Sequence, residues 1–200
     1  MMKSHFFAIL GRMKFIRRWG LMHNTQEENI QEHTLQTAMI AYQLCLMSNT
    51  YYGGHTDPRE AAVLAMYHDV AEIYTGDMPT PVKYFSEDMH RTYAQVEILA
   101  QQRLIRLLPP ELRDAYKPMI CAAEDNPVWP FVKAADTLSA YLKCVQEVAA
   151  GNREFKDARE TIGAKLKDMA MPEVERFMQE YVPSFQLSLD EMNKTNDNEK

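Results

Sequence analysis

The sequence predicts an all-α protein folded as one compact helical bundle, and three observations carry that expectation. Apolar residues recur at three- and four-residue spacing along most of the chain. No segment sustains the period-two alternation of a half-buried strand, and no unit longer than a turn repeats. With 200 residues, 46% of them hydrophobic and only seven glycines, the chain is long enough for one sizeable core and short for two. One domain is therefore expected over residues 1–192, followed by a polar, frayed tail over 193–200.

A first helix is expected over residues 4–19, with Phe7, Leu10 and Lys14 at helical spacing. Basic residues gather towards its C-terminal end, where they complement the helix dipole. Residues 23–30 are polar and read as a loop. From 32 to 48, Leu35, Ala38, Met39, Tyr42, Leu44, Leu46 and Met47 predict a largely buried helix with His33 in its first turn, ended by Ser48-Asn49 and Gly53-Gly54. The next start is the clearest in the chain: Asp57 as N-cap, Pro58 at the first helical position and Glu60 three residues after the cap. This helix is expected to run to Gly76, with His68, Asp69 and Glu72 in its last turns.

Residues 75–81 cannot form regular helix, because Pro79 and Pro81 push their predecessors towards extended backbone. A stiff loop beside His68-Asp69 results. A long helix follows over 82–108, closed by Pro109-Pro110, then a shorter one over 111–123. Asn126-Pro127 introduces a further helix, which carries Asp136 and which Gly151 terminates. One or two more helices fill 154–182, split near Pro172.

Composition excludes several classes of function. A formal net charge of -6 opposes a nucleic-acid polymer as the main ligand, since polymer binding needs a basic patch that neutralises many phosphates. Cys45, Cys121 and Cys144 are odd in number and widely spaced, as expected of reduced core thiols in a cytosolic protein. The apolar run Phe6-Phe7-Ala8-Ile9-Leu10 is followed by Arg12, Lys14, Arg17 and Arg18 without a cleavage-like site. No stretch approaches the roughly 18 apolar residues of a membrane span. The expectation is a soluble cytoplasmic protein with no membrane partner.

The chemistry is concentrated in His68-Asp69, set in an apolar helical run, with a lone His33 upstream and a lone Asp136 downstream. Leu64, Ala65, Met66, Val70, Ala71 and Ile73 cover most of the helix surface around Asp69, and an unpaired buried carboxylate is costly. A bound cation removes that cost. Asp136 lies among Val132, Ala134, Ala135 and Leu138 and invites the same argument, with a hydrogen-bonded or ion-paired core aspartate as the alternative. Two imidazole nitrogens and two carboxylate oxygens suit Mn, Co, Fe or Zn.

Adjacent helical residues point about 100° apart, so His68 and Asp69 can converge only on a metal lodged beside the helix. Glu72, four residues after His68 and three after Asp69, falls on the shared flank, where a general base or water-orienting group belongs. Asp77 follows Gly76 and has a competing role as a turn residue. His5, His23, His55 and His90 have no partners at ligand spacing.

The pattern His33, His68-Asp69, Asp136 resembles the metal-binding signature of the HD-domain superfamily of metal-dependent phosphohydrolases. The run His68-Asp69-Val70-Ala71-Glu72-Ile73-Tyr74-Thr75-Gly76-Asp77-Met78-Pro79-Thr80-Pro81-Val82-Lys83-Tyr84-Phe85 is similar to bacterial HD-domain 5'-deoxynucleotidases. So are Arg17-Arg18-Trp19 and Tyr141-Leu142-Lys143-Cys144, and the similarity covers about residues 3–191. The resemblance implies an all-helical homodimer that removes phosphate from deoxynucleoside 5'-monophosphates through attack of a metal-bound water, with cobalt, manganese or a similar divalent ion. By resemblance His33, His68, Asp69 and Asp136 bind the metal, and Glu72 acts on the attacking water. Arg18 holds the phosphate, and Trp19 presses on the sugar where a 2'-hydroxyl would sit. Asp77, Met78, Pro79 and Thr80 line the nucleotide pocket, which His33 also touches. Departures from the family pattern fall on core-type positions such as Val70, Ala71 and Tyr74.

Elementary chemistry agrees. Phosphate monoesters hydrolyse extremely slowly in water, so an enzyme must activate the nucleophile, neutralise phosphoryl charge and help the leaving alkoxide. A metal and the paired donors of Arg18 serve the first two needs, and Asp77 is the candidate acid for the third. Trp19 also fits a core or dimer aromatic. The alternatives are an HD deoxynucleoside triphosphohydrolase, an HD phosphodiesterase, or a non-catalytic ligand-sensing dimer. A two-metal phosphodiesterase needs more histidines downstream than His90, and a sensor predicts damage to a ligand set that is intact here.

Overall fold

The computed structural model describes residues 3–83, 85–121 and 125–197, and among these the regular elements are all helical. The chain opens with α1 (Phe6–Leu10) and a 3-10 turn at Met13–Phe15, not with one helix to Trp19. The cause is tertiary. Ile30 N donates to Ile16 O (3.0 Å) and Arg18 N to Glu28 O (3.0 Å), so residues 16–18 run as an extended strap against 28–30. These bonds replace the helical ones the local pattern favours.

α2 (Ile30–Tyr51) starts two residues before the expected position, because Asn29 caps it. Asn29 Oδ1 accepts from Gln31 N and Glu32 N at 3.0 and 3.1 Å, and the Glu32 carboxylate accepts from Asn29 N in return. Its expected burial holds on one face only: Ala38, Leu44 and Met47 are buried, whereas Leu35, Met39, Tyr42 and Leu46 are 41–63% exposed. α3 (Pro58–Tyr67) begins as expected, with Asp57 Oδ1 accepting from Arg59 N (2.9 Å). Glu60 does not complete a capping box; it accepts from Asn126 instead.

α3 ends at Tyr67, one residue before His68, and α4 (Glu72–Thr75) follows a tight turn. Continuous helix to Gly76 is thus corrected. Val70 and Ala71 are buried at the bend, and Val70 N and Glu72 N bond three residues back, to Tyr67 O and Asp69 O. The expected helix over 82–108 is likewise two pieces, α5 (Thr80–Lys83) and α6 (Glu87–Arg106), because the Ser86 hydroxyl caps α6 through Met89 N. α5 also takes Thr80 and Pro81 out of the expected loop. Tyr84 lies outside the described residues.

α7 (Pro110–Ile120) stops short of Ala123, which with residues 122 and 124 also lies outside them. α8 (Trp129–Ala149) carries Asp136 and is followed by Gly151 at φ +88°. α9 (Lys156–Asp168) and α10 (Pro172–Glu180) divide at Pro172 as expected. α11 (Leu189–Asp197) extends helix into the segment expected to fray, and 198–200 lie outside the described residues.

α2, α3 and α8 form the centre, with Ala41, Leu44, Ala65, Val132, Leu138 and Leu142 in one apolar cluster. A second cluster joins Phe6, Met13, Ile30, Val70, Leu104 and Ile120. His33 lies on α2 between Ile30 of one cluster and Ala38 of the other, so the site sits where the two meet. Cys45 and Cys144 are buried free thiols and Cys121 is half-buried. Among the described residues no helix is long and apolar enough to cross a membrane.

Candidate active site

Three elements bring the four expected ligands together: α2 supplies His33, the bend after α3 supplies His68 and Asp69, and α8 supplies Asp136. One ligand atom from each lies within 4.8 Å of all the others. His33 Nε2 is 3.4 Å from Asp69 Oδ2 and 3.2 Å from Asp136 Oδ1. His68 Nε2 is 3.1 and 3.9 Å from the same two oxygens. The bend makes this possible, since breaking the helix at His68 lets two adjacent side chains face one point.

The hydrogen bonds on the far side of each ring settle its tautomer. His68 Nδ1 is 2.6 Å from the Ala65 carbonyl, which can only accept, so Nδ1 carries the proton. Ser139 Oγ donates to Gln36 Oε1 (2.8 Å), which leaves its lone pair for His33 Nδ1–H at 3.1 Å. Each Nε2 is therefore the ring atom turned towards the carboxylates, and among the described residues both are buried without a hydrogen-bond partner. Four lone pairs so close together repel one another unless a positive charge lies between them. The residues therefore fit a divalent cation, with outer hydrogen bonds of the kind that orient imidazole ligands.

The titration behaviour has the same origin. Burial acts to lower the His68 pKa, but Asp69 and Asp136 outweigh it and push it to about 10. Burial would raise the two carboxyls, yet the histidines hold both well below the usual carboxylate range. Glu72 stands at the start of α4, not on the helix of His68, with Oε2 buried and, among the described residues, without a hydrogen-bond partner. Its burial, and then the charges of Asp69 and Asp77, push its carboxyl up to about 10 against the pull of Arg18 and His68.

Beside the cluster, Arg18 Nη1 is 3.6 Å from Asp69 Oδ2, and Arg18 Nε is 3.1 Å from Glu28 Oε2. Burial opposes the guanidinium's charge, but Glu28, Asp69, Asp136 and Asp77 raise its pKa above the ordinary value. Trp19 is half-buried and adopts φ +59°, a rare backbone state for a large side chain. Asp77 accepts from Trp19 N at 3.3 Å, so its carboxylate reaches across the fold as well as standing in the turn. Burial raises the Asp77 carboxyl, with Arg18 and the Trp19 amide opposing.

Met78 and Pro79 continue the loop half-buried and Thr80 is exposed. Tyr93 of α6 ties this loop down through Thr75 Oγ1 (3.2 Å) and Gly76 O (3.5 Å).

Sequence reasoning missed Glu28, Ser139, Gln36 and Glu147. Ser139 stands three residues after Asp136 and Glu147 four after Lys143, spacings that place each pair on one helix flank and were open to notice. Gln36 stands three residues after His33 and gave the same signal, whereas Glu28 gave none, because its partners Arg18 and Trp19 lie outside any shared helix. Glu147 is buried and accepts from Thr25 N (3.0 Å), Thr25 Oγ1 (2.7 Å), Gln26 N (3.1 Å) and Asn152 Nδ2 (2.8 Å), and pairs with Lys143. It fastens the loop before Glu28 to α8.

Known proteins are similar to this chain in sequence and in fold. A 5'-deoxynucleotidase of Shewanella oneidensis is 47% identical over 192 residues, 96% of this chain and 98% of the relative. The crystal structure of an HD-domain phosphohydrolase from Listeria innocua superposes with TM-score 0.79 at 21% identity, covering 92% of this chain and 90% of that one. A cyanophage S-2L HD phosphohydrolase, bound to dA and one catalytic zinc ion, superposes with TM-score 0.64 at 19% identity, over 92% and 98% of the two chains. The pattern of the family described as 5'-deoxynucleotidase YfbR-like matches residues 5–185. Full-length similarity at that identity, on an HD-phosphohydrolase fold, places the chain in the YfbR-like 5'-deoxynucleotidase family.

Proposed function

We propose that this chain is a metal-dependent 5'-deoxynucleotidase that hydrolyses deoxynucleoside 5'-monophosphates to deoxynucleosides and phosphate. The observation that carries the reading is the convergence of four donor atoms, two of them orphaned imidazole nitrogens, beside the guanidinium of Arg18. A bound divalent cation supplies Lewis acidity, taking the pKa of water from about 16 towards roughly 7 and drawing charge from a phosphoryl oxygen. Cobalt or manganese suits a set of two nitrogens and two oxygens, as other divalent ions do.

The remaining work falls to the chain's own residues. Arg18 neutralises the phosphate through its Nη donors. Glu72 orients the attacking water through its unpartnered oxygen. Asp77, whose carboxyl burial keeps up, hands a proton to the leaving 5'-oxygen. Trp19 occupies the space of a 2'-hydroxyl, and Met78, Pro79 and Thr80 line the nucleotide pocket, which His33 also touches. The catalytic unit is residues 1–192, acting in the cytoplasm as a homodimer. The uncharged exposed row Leu35, Met39, Tyr42 and Leu46 on α2 supports a second copy as partner; Met39→Glu is expected to yield monomers in sedimentation.

The test is phosphate release by metal-stripped protein reconstituted with cobalt, manganese or zinc, from paired deoxy- and ribonucleoside 5'-mono- and triphosphates. Metal-dependent release from deoxymonophosphates alone, abolished in Asp69→Asn, is expected. Release from triphosphates instead would move the chain to the triphosphohydrolases. Release from none, with metal bound, would favour a phosphodiester substrate or a sensor.

A further inference from the structure

We propose that Glu28 is the positioning residue that sets phosphate and sugar recognition together, an inference that rests on the deoxynucleotidase reading. One carboxylate oxygen, Glu28 Oε2, accepts from Arg18 Nε at 3.1 Å and from Trp19 Nε1 at 2.9 Å. The backbone repeats the link, with Arg18 N donating to Glu28 O at 3.0 Å. The two arms assigned to phosphate and to sugar therefore share one anchor.

The geometry follows from what that anchor occupies. By taking Nε, Glu28 turns the Nη edge of the guanidinium towards the cluster, where Nη1 is 3.6 Å from Asp69 Oδ2. The Arg18 side chain is only 11% exposed, and among the described residues the other carboxylate paired with it is Asp69. Without Glu28 the buried cation would close onto a metal ligand. Trp19 is held at three points: Nε1 by Glu28, its amide by Asp77, and its ring against Phe155 at 5.3 Å between centroids. A residue at φ +59° stays there only when its surroundings over-determine it. Glu28 is in turn fixed by Asn29, the cap of the helix that bears His33, and by the Glu147 clamp on Thr25 and Gln26. Both arms are thereby registered to the metal ligands.

The two functions of Glu28 differ chemically and can be separated. A glutamine keeps a carbonyl oxygen for the indole N–H but removes the charge that pairs with Arg18. An alanine removes both.

The experiment compares wild type, Glu28→Gln and Glu28→Ala as metal-loaded full chains. It measures kcat and KM for dAMP and AMP, inorganic phosphate binding by calorimetry, and near-UV circular dichroism as the report on packing. In Glu28→Ala the dAMP/AMP ratio of kcat/KM is expected to fall about tenfold or more, and the KM for dAMP and the phosphate Kd to rise by a similar factor, the size of a lost charge-assisted hydrogen bond. Glu28→Gln is expected to recover the ratio to within about threefold of wild type while its KM and phosphate Kd stay raised. An unchanged ratio and KM in folded Glu28→Ala would overturn the proposal. Equal losses in both variants, together with a lost near-UV spectrum, would also overturn it, by making Glu28 a structural residue only. A wild type that cleaves neither nucleotide would sink the deoxynucleotidase reading; the phosphate titration would still decide the Arg18 half.

Discussion

Ser139 Oγ lies 3.1 Å from His33 Nδ1 and donates its own proton to Gln36 Oε1 at 2.8 Å, joining α8 to α2 behind the cluster of His33, His68, Asp69 and Asp136. This bond fixes the tautomer that leaves His33 Nε2 free to coordinate. Ser139→Ala is expected to weaken metal binding about tenfold, the lower end for loss of a residue that orients a ligand. Calorimetric titration of the stripped protein with cobalt reads it directly; an unchanged affinity would show that packing alone sets the ring.

Metal is expected to stabilise the fold, because it binds a pre-assembled cluster that the unfolded chain lacks. At a free concentration one hundred times its Kd, the gain is about 2.7 kcal/mol. Thermal melts of stripped protein with increasing cobalt check this, and Asp136→Asn should flatten the response.

Gly76 stands at φ +72° and ψ 165°, a region open to almost no other residue, and it aims the loop that carries Asp77. Among the described residues no atom within 4 Å would meet an added Cβ, so backbone strain is what opposes substitution. Gly76→Ala should therefore cost about 1–3 kcal/mol in denaturant unfolding and lower kcat by displacing Asp77. A variant of wild-type stability and turnover would contradict this.

Glu147 gives a pH dependence whose sign can be worked out. Burial alone would raise its carboxyl, but hydrogen bonds from Lys143, Thr25 and Asn152 hold it well below its usual value of 4.5. The native state thus binds this proton less readily than the unfolded chain. Its stabilisation is complete above about pH 4.5 and is lost as the pH falls towards the native pKa. Melting of wild type and Glu147→Gln from pH 7 to 3 should show a gap that narrows with acid; a constant gap would refute the assignment.

Much of this protein was legible before folding was considered. Asp57 and Pro58 announced α3, Pro172 the division between α9 and α10, and Gly151 the end of α8, because caps and breakers act through neighbours within a turn. The convergence of His33, His68, Asp69 and Asp136 was legible for a different reason: polar side chains in apolar helical surroundings are costly unless something binds them.

Other features depended on contacts between distant residues. Local periodicity drew one helix from 4 to 19, yet residues 16–18 pair with 28–30 instead. The same pattern ran α3 on to Gly76, whereas burial of Val70 and Ala71 bends the chain at His68 and lets His68 and Asp69 face one point. On α2 it buried Leu35, Met39, Tyr42 and Leu46, which the bundle leaves exposed.

By itself the sequence determined the helical class, the boundaries marked by Asp57-Pro58, Pro172 and Gly151, and the four residues that converge in one cluster, since each depends on residue type and spacing along the chain. Only the tertiary structure decided which imidazole nitrogen faces the carboxylates, where the HD helix breaks, and that Glu28 holds Arg18 and Trp19 with one oxygen. Those features rest on hydrogen bonds and burial between segments whose approach is defined only once the whole bundle has closed.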